Sequence, residues 1–268
     1  MKSPTTIMGT VWGSEFVSGK NLKKAERRLP EEAGVSFHKM RFLDGTSMKL
    51  IALASMTIDH IGYLFFQDQV LWRIVGRLAF PIFAWMIAEG CFYTRNIVRY
   101  FRRVFLLGLV CQAVYSIADR TLYMNVLITL SLSILLIMVY QNLQEGLTVG
   151  KILLFMAVLC GDIFLTAVLP RLIRQTGWHV DYGFYGTLLP LTIYALHGSE
   201  KIRLAACAAN LVLLCIGAEN YQVWGLLSLA LFLFYNGKPG RYRMKYLFYF
   251  YYPAHLAALY GLSILLGK

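Results

Sequence analysis

LDGTSMKLIALASMTIDHIGYLFF, Leu43 to Phe66, is the stretch on which the reading of the whole chain turns. It is long and apolar enough to cross a bilayer as a helix, yet it carries Asp59 and His60 side by side in its second half. Ionisable groups inside a spanning helix are costly, so they face a protein interior or a water-filled cavity and have a function there. Residues three or four apart share a helix face, which puts Lys49, Leu53, Met56 and His60 on one stripe with Asp59 beside it. At about 1.5 Å per residue, His60 lies past the middle of such a helix.

Working outward, the composition is that of a polytopic membrane protein. Of 268 residues, 58% are hydrophobic and 15% charged, against roughly 45–50% and about 25% in soluble domains. The net charge of +12 raises nucleic acid as a partner, but the basic residues fall between apolar runs and leave no soluble module to carry that role. Residues 1–42 form a polar, basic extension without the contiguous apolar core of a signal peptide, so a cytosolic tail is expected, disordered or lying on anionic headgroups. Residues 43–268 form the membrane domain. Cys91, Cys111, Cys160, Cys207 and Cys215 all lie in apolar runs without metal or CxxC spacing and read as packing residues.

The fold class expected is all-α, with about nine transmembrane helices near 48–66, 72–93, 101–118, 125–140, 152–169, 184–197, 203–217, 221–235 and 246–266. Lys and Arg collect on the cytoplasmic side of membrane proteins. With the N-terminus inside, the inner connections hold Arg95, Arg99, Arg102, Arg103, Lys151, Lys201, Arg203, Lys238, Arg241, Arg243 and Lys245, and the outer ones Arg120, Arg171, Arg174 and Lys268. That asymmetry predicts N-terminus inside and C-terminus outside.

The second span runs back from the outer side and carries Arg73 and Arg77 four residues apart, at the level of Asp59 and His60. Guanidiniums at that depth need a carboxylate or bound anion as counter-charge, and Asp59 is in place to serve. The same span holds Pro81, which invites a kink, and ends in Glu89, read as a structural partner of Arg95 or another inner base. Asp162 and His255 are further ionisable residues at mid-span. His179 and Asp181 sit in the longest outer connection, PRLIRQTGWHVDYG, and suggest the mouth of a site; His38 and His197 read as solvated surface residues. No HExxH, GxSxG, Walker A or GxGxxG pattern is present, and the histidines are scattered, so no metal set is expected.

Five blocks in order, MKLIALASMTIDHIG, LWRIVGRLAFPIFAWMIAEGCFYTRN, YFRR, HVDYGFYGTLLPL and KYLFYFYYPAHLAALY, together resemble the TraX family of bacterial inner-membrane proteins. That family is named for a conjugation protein associated with acetylating the N-terminus of pilin. The opening segment is also similar to membrane acyltransferases, whose first span begins with a Leu-Asp-Gly stretch and a basic residue and ends in a histidine; here Leu43, Asp44, Gly45, Lys49 and His60 follow that order, with Lys in place of the usual Arg.

The resemblance implies a multi-pass protein of the bacterial inner membrane that transfers an acyl group, most simply acetyl from acetyl-CoA, to a peptide, pilin-like or small-molecule acceptor, with His60 nearest the transfer. Histidine suits that task, since its ordinary pKa of about 6.5 lets it take a proton near neutrality. Asp59 would orient the imidazole, Arg73 and Arg77 would stabilise the oxyanion or hold the acceptor, and Glu89, His179, Asp181 and His255 are secondary candidates. Arg95, Arg99, Arg102, Arg103, Arg241, Arg243 and Lys245 would receive the phosphates of the donor. The rival readings are a transporter or flippase with an intramembrane Asp/His/Arg path, and a non-catalytic partner of an assembly system.

Overall fold

The structure is a computed structural model that describes residues 41–119, 122–216, 220–240 and 245–267. The helices are α1 (Gly45–Phe65), α2 (Val70–Gly76), α3 (Ala79–Tyr93), α4 (Ile97–Asp119), α5 (Val126–Gln144), α6 (Val149–Ile163), α7 (Leu169–Leu172), α8 (Gly183–Ala195), α9 (Glu200–Cys215), α10 (Ser228–Leu233) and α11 (Lys245–Leu265). A π-helical turn, Phe164–Val168, joins α6 to α7, and a 3-10 segment, Asn220–Leu227, leads into α10. The all-α expectation holds apart from two short strands, β1 (Tyr123–Met124) and β2 (His179–Val180), which pair in parallel. They satisfy backbone groups where two helix connections meet and no helix supplies partners.

Among the described residues, three stretches are long and apolar enough to cross a membrane: Val70–Tyr93, Val126–Gln144 and Val149–Leu172. The other rods are shorter or more polar, and the expected eighth span is a segment of mixed 3-10 and α-helix, Tyr221–Leu233. The basic extension before Arg41, together with Arg241 and Arg243, lies outside the described residues.

The expected kink in the second span occurs one turn before Pro81. Helix α2 ends at Gly76, Arg77 and Leu78 keep right-handed helical angles, and α3 starts at Ala79. Proline has no N–H to offer the carbonyl four residues back, here that of Arg77, so the ladder is interrupted at Arg77.

The core lies between α3, α5, α8, α9 and α10, where Phe80, Ile82, Ile134, Ile137, Leu189, Ile193, Leu211 and Phe232 are buried. Trp85 stacks on Phe232 with centroids 4.3 Å apart and receives the Arg203 guanidinium at 3.9 Å from its ring. Helix α6 is the most peripheral, with Ile152, Leu153, Leu154 and Met156 exposed.

The ends of the rods meet in two groups. At one end Leu43 bridges Tyr235, the Gly45 N–H donates to the Lys238 carbonyl at 2.7 Å, Arg41 pairs with Glu200, and Glu89 pairs with Arg203. At the opposite end β1 pairs with β2 and Arg77 donates to Gln222. Each of these contacts joins segments that the charge pattern assigns to the same side.

Two glycines let α2 press against α1. A Cβ on Gly62 would come within 2.3 Å of the Trp72 Cβ, and one on Gly76 within 2.2 Å of an Asp59 carboxylate oxygen. Both distances are shorter than real Cβ contacts, so any larger residue would drive the helices apart.

Candidate functional site

The close approach at Gly76 sets the charge centre of the site. Asp59 Oδ2 accepts from Arg73 Nη1 at 3.0 Å, and its Oδ1 lies 3.7 Å from Arg77 Nη2. Arg77 Nη1 in turn donates to Gln222 Oε1 at 3.3 Å, which ties α2 to the 3-10 segment. One carboxylate thus faces two guanidiniums. Gly76→Ala is expected to cost about 1–3 kcal/mol through this overlap, read as a lower melting temperature in detergent. Unchanged stability would mean that Asp59 does not sit against α2.

Asp59 is committed to the arginines and does not hold His60. The His60 ring is oriented by its own helix, with Nδ1 bonded to the Met56 carbonyl at 2.8 Å. A carbonyl can only accept, so Nδ1 carries the proton and Nε2 keeps its lone pair. On α11, His255 meets His60 edge to face with centroids 5.2 Å apart.

Asp59, His60, Arg73, Arg77 and Gln222 line a cavity of about 1200 Å³ at the β1–β2 end of the bundle, together with His179, Asp181 and Arg171, while His255 stands behind His60 outside that lining. Its lining also includes Phe80, Tyr182, Tyr252 and Leu256. Asp181 is fixed by the Tyr123 hydroxyl, which donates to Oδ1 at 2.8 Å, and by Thr129, which donates to the backbone carbonyl at 2.6 Å. Burial in the protein raises the Asp181 carboxyl to about 6, against the pull of the Tyr123 hydroxyl and Arg77. Above that pH the cavity holds a second carboxylate, within the field of Arg77.

Tyr182 is the non-glycine residue with a left-handed backbone (φ 62°) among those described, followed by Gly183 at φ 53°. Such a conformation is strained for a bulky side chain and persists where packing enforces it. Here the Tyr182 ring stacks on Phe80 with centroids 3.7 Å apart. The pair belongs to the cavity lining that faces the core.

The remaining candidates lie elsewhere. Glu89 has the structural role expected of it, with another inner base, Arg203, as its buried partner in place of Arg95, and His197 Nε2 at 3.4 Å. His197, expected on the surface, is instead stacked on Phe92 with centroids 3.6 Å apart. Arg203 follows a short turn from α8, so it reaches Glu89 across the bundle while Arg95 remains exposed at the start of α4. Asp162 is buried and accepts from Thr187 at 2.7 Å. Arg99, Arg102 and Arg103 lie in the first turns of α4, at the end of the bundle away from the cavity, and Lys245 opens α11. From Arg99 to Gln112, which bonds the β1 strand, is about 20 Å of helix. Among the described residues, no three His, Cys, Asp or Glu side chains group as metal ligands.

Sequence reasoning passed over Gly76, Gln222, Tyr123 and Tyr182. Only Gly76 carried a signal: it lies three residues after Arg73, on the helix face expected to meet Asp59.

The profile of the family described as "TraX protein" matches residues 44–263. The chain belongs to the TraX family. Among curated relatives of this TraX chain, "Probable fimbrial assembly protein FimC, serogroup H1" of Dichelobacter nodosus is 30% identical over 246 residues, covering 79% of this chain and 92% of the relative. "Uncharacterized protein RP591" of Rickettsia prowazekii (strain Madrid E) is 30% identical over 96 residues, covering 35% of this chain and 37% of its own. No solved structure matches this TraX chain. The TraX match takes in α1 to α11 and therefore the whole cavity, while the basic extension before Asp44 lies outside it.

Proposed function

We propose that this protein is an acyltransferase of the bacterial inner membrane, crossing it several times with the N-terminus inside and the C-terminus outside. It transfers an acyl group, most simply acetyl from acetyl-CoA, to an amine such as a peptide or pilin-like N-terminus, or to a hydroxyl. The observation that carries this reading is His60. Its Nδ1 is held by the Met56 carbonyl, and it lines a charged cavity with its Nε2 lone pair left as the base.

The chemistry follows from that arrangement. The Nε2 atom of His60 removes a proton from the nucleophile, whose lone pair attacks the thioester carbonyl carbon. Arg73 and Arg77, preorganised by Asp59 and Gln222, stabilise the charge that develops on the carbonyl oxygen. The carbon–sulfur bond then breaks, and the proton held by His60 passes to the leaving thiolate. Asp181 and Arg171 flank the acceptor. Arg95, Arg99, Arg102 and Arg103 serve as the inner landing surface for the donor's phosphates. With the phosphates held there, the thioester end of the donor must reach the cavity, where the acceptor attacks it beside His60.

The second reading, a partner in pilus or fimbrial assembly without catalysis, is favoured by the name of the Dichelobacter relative. Protein reconstituted in vesicles with labelled acetyl-CoA separates the readings. The enzyme reading expects thioester turnover and label on an added peptide or alcohol. Uptake of a solute without turnover would favour transport, and neither result would favour an assembly role. Mass spectrometry of surface peptides from cells with and without the gene would identify the acceptor.

A further inference from the structure

Behind His60 stands a second imidazole that the reaction above does not use. His255 meets His60 with ring planes at 81°. Its Nδ1 is bonded to the Tyr251 carbonyl at 2.9 Å, as that of His60 is to Met56. Both rings therefore carry the proton on Nδ1 and a lone pair on Nε2. His255 is 7% exposed, and its Nε2 is buried without a hydrogen-bond partner. Buried polar atoms are almost always satisfied, so an orphaned acceptor beside a proposed base asks for an explanation.

The pair is held in register. Tyr251 stacks on His255 with centroids 5.2 Å apart, and its hydroxyl shares a 2.6 Å hydrogen bond with Thr57, one turn before His60. The charged and titratable groups around the two rings are Asp59 on α1, Arg73 on α2, Arg77 just after it, and Tyr251 and Tyr252 on α11, with Cys111 of α4 beyond Tyr252. Asp59, the carboxylate of this set, is engaged by both arginines. His255 is then the base placed to receive a proton from His60.

We infer that His255 is the second base of a two-base relay, storing the proton that His60 removes from an acceptor arriving as an ammonium ion. This inference rests on the acyl-transfer reading. The proton balance gives the relay its purpose. An alcohol and a thioester yield an ester and a thiol with no net proton, because the O–H proton ends on sulfur. An ammonium acceptor yields an amide, a thiol and one proton in excess.

In the relay, His60 Nε2 takes the first N–H proton, which converts ammonium to amine, and passes it to Nε2 of His255. The restored lone pair on His60 takes a second N–H proton as nitrogen bonds to the carbonyl carbon. As the carbon–sulfur bond breaks, His60 delivers that proton to sulfur. When the product leaves, His255 returns the excess proton to the neutral His60, which lines the cavity and releases it there. His255 acts through His60 and does not itself touch the acceptor.

The test uses the full chain in vesicles with labelled acetyl-CoA and two acceptor peptides. One begins with an ordinary α-amino group, protonated at neutral pH with a pKa of about 8. The other begins with an aminooxy group, which is uncharged there. His255→Phe keeps an aromatic ring against His60 but has no lone pair. It should slow transfer to the ammonium peptide about tenfold or more at neutral pH. Transfer to the aminooxy peptide should stay near wild type, and the gap should close as the pH rises past the α-amino pKa.

Equal loss with both peptides would reduce His255 to a packing residue, and no loss with either would remove it from the reaction; both outcomes overturn the relay. If His255→Phe does not insert, His255→Gln, whose amide takes no proton, is read in the same way. Wild-type protein that modifies neither peptide nor any alcohol would sink the acyl-transfer reading itself, and the relay with it.

Discussion

His60→Ala is expected to lower acyl transfer by about 10²- to 10⁴-fold while the protein still inserts and melts near the wild-type temperature. The imidazole is anchored to a backbone carbonyl of its own helix and stands beside a cavity. Truncating it therefore removes neither a helix-to-helix hydrogen bond nor part of the Asp59–Arg73 ion pair. The measurement is label transfer from acetyl-CoA in vesicles, normalised to protein in the membrane. Full transfer by His60→Ala would remove His60 from the mechanism and leave the cavity without a named base. His60→Gln separates shape from chemistry: it keeps a polar side chain of similar reach but takes no proton, so it should be as inactive as the alanine variant.

The second large effect concerns stability at the far end of the bundle. Glu89 and Arg203 are buried together, with His197 against the same carboxylate oxygen and the Arg203 guanidinium over Trp85. Glu89→Ala leaves a guanidinium in the core without its counter-charge, a loss of about 3–5 kcal/mol. The expected readout is a sharply lower melting temperature, or failure to accumulate in the membrane. Replacing both charges, Glu89→Leu with Arg203→Met, should recover much of that loss, because well-packed apolar residues of similar volume often substitute for a buried pair without penalty. A single Glu89→Ala variant as stable as wild type would mean that water reaches this cluster.

Both predictions depend on contacts that differ in how far they could be read from sequence. The level at which Asp59 meets Arg73 follows from two helices running in opposite directions with a short turn between them, so a rise of about 1.5 Å per residue was enough to find it. The choice of partner was harder to foresee. Sequence adjacency places Asp59 beside His60, but neighbours in a helix point about 100° apart, and the two arginines take the carboxylate. For Glu89 the sequence indicates a structural pairing with an inner base, and the packing of α3 against α8 and α9 selects Arg203 over Arg95. The broken second span was only partly foreseen, since the kink was tied to Pro81 and the ladder is interrupted at Arg77.

By itself the sequence determined the nearly all-α class, the run of apolar helices, the pairing of Asp59 with the Arg73–Arg77 face, and the family. Those properties depend on composition, on periodicity and on residues close along the chain, which a helix of known rise places without further information. Tertiary structure alone decided that His255 stands beside His60 and that Gln222 holds Arg77, and it brings His179 and Asp181, which the sequence places at the mouth of a site, to this same cavity. These residues come from connections and helices far apart in the chain, brought together by packing that no local pattern encodes. The stretch Leu43–Phe66 thus contributes one face of the site, and the other walls come from α2, α8, α11 and the β1–β2 connection.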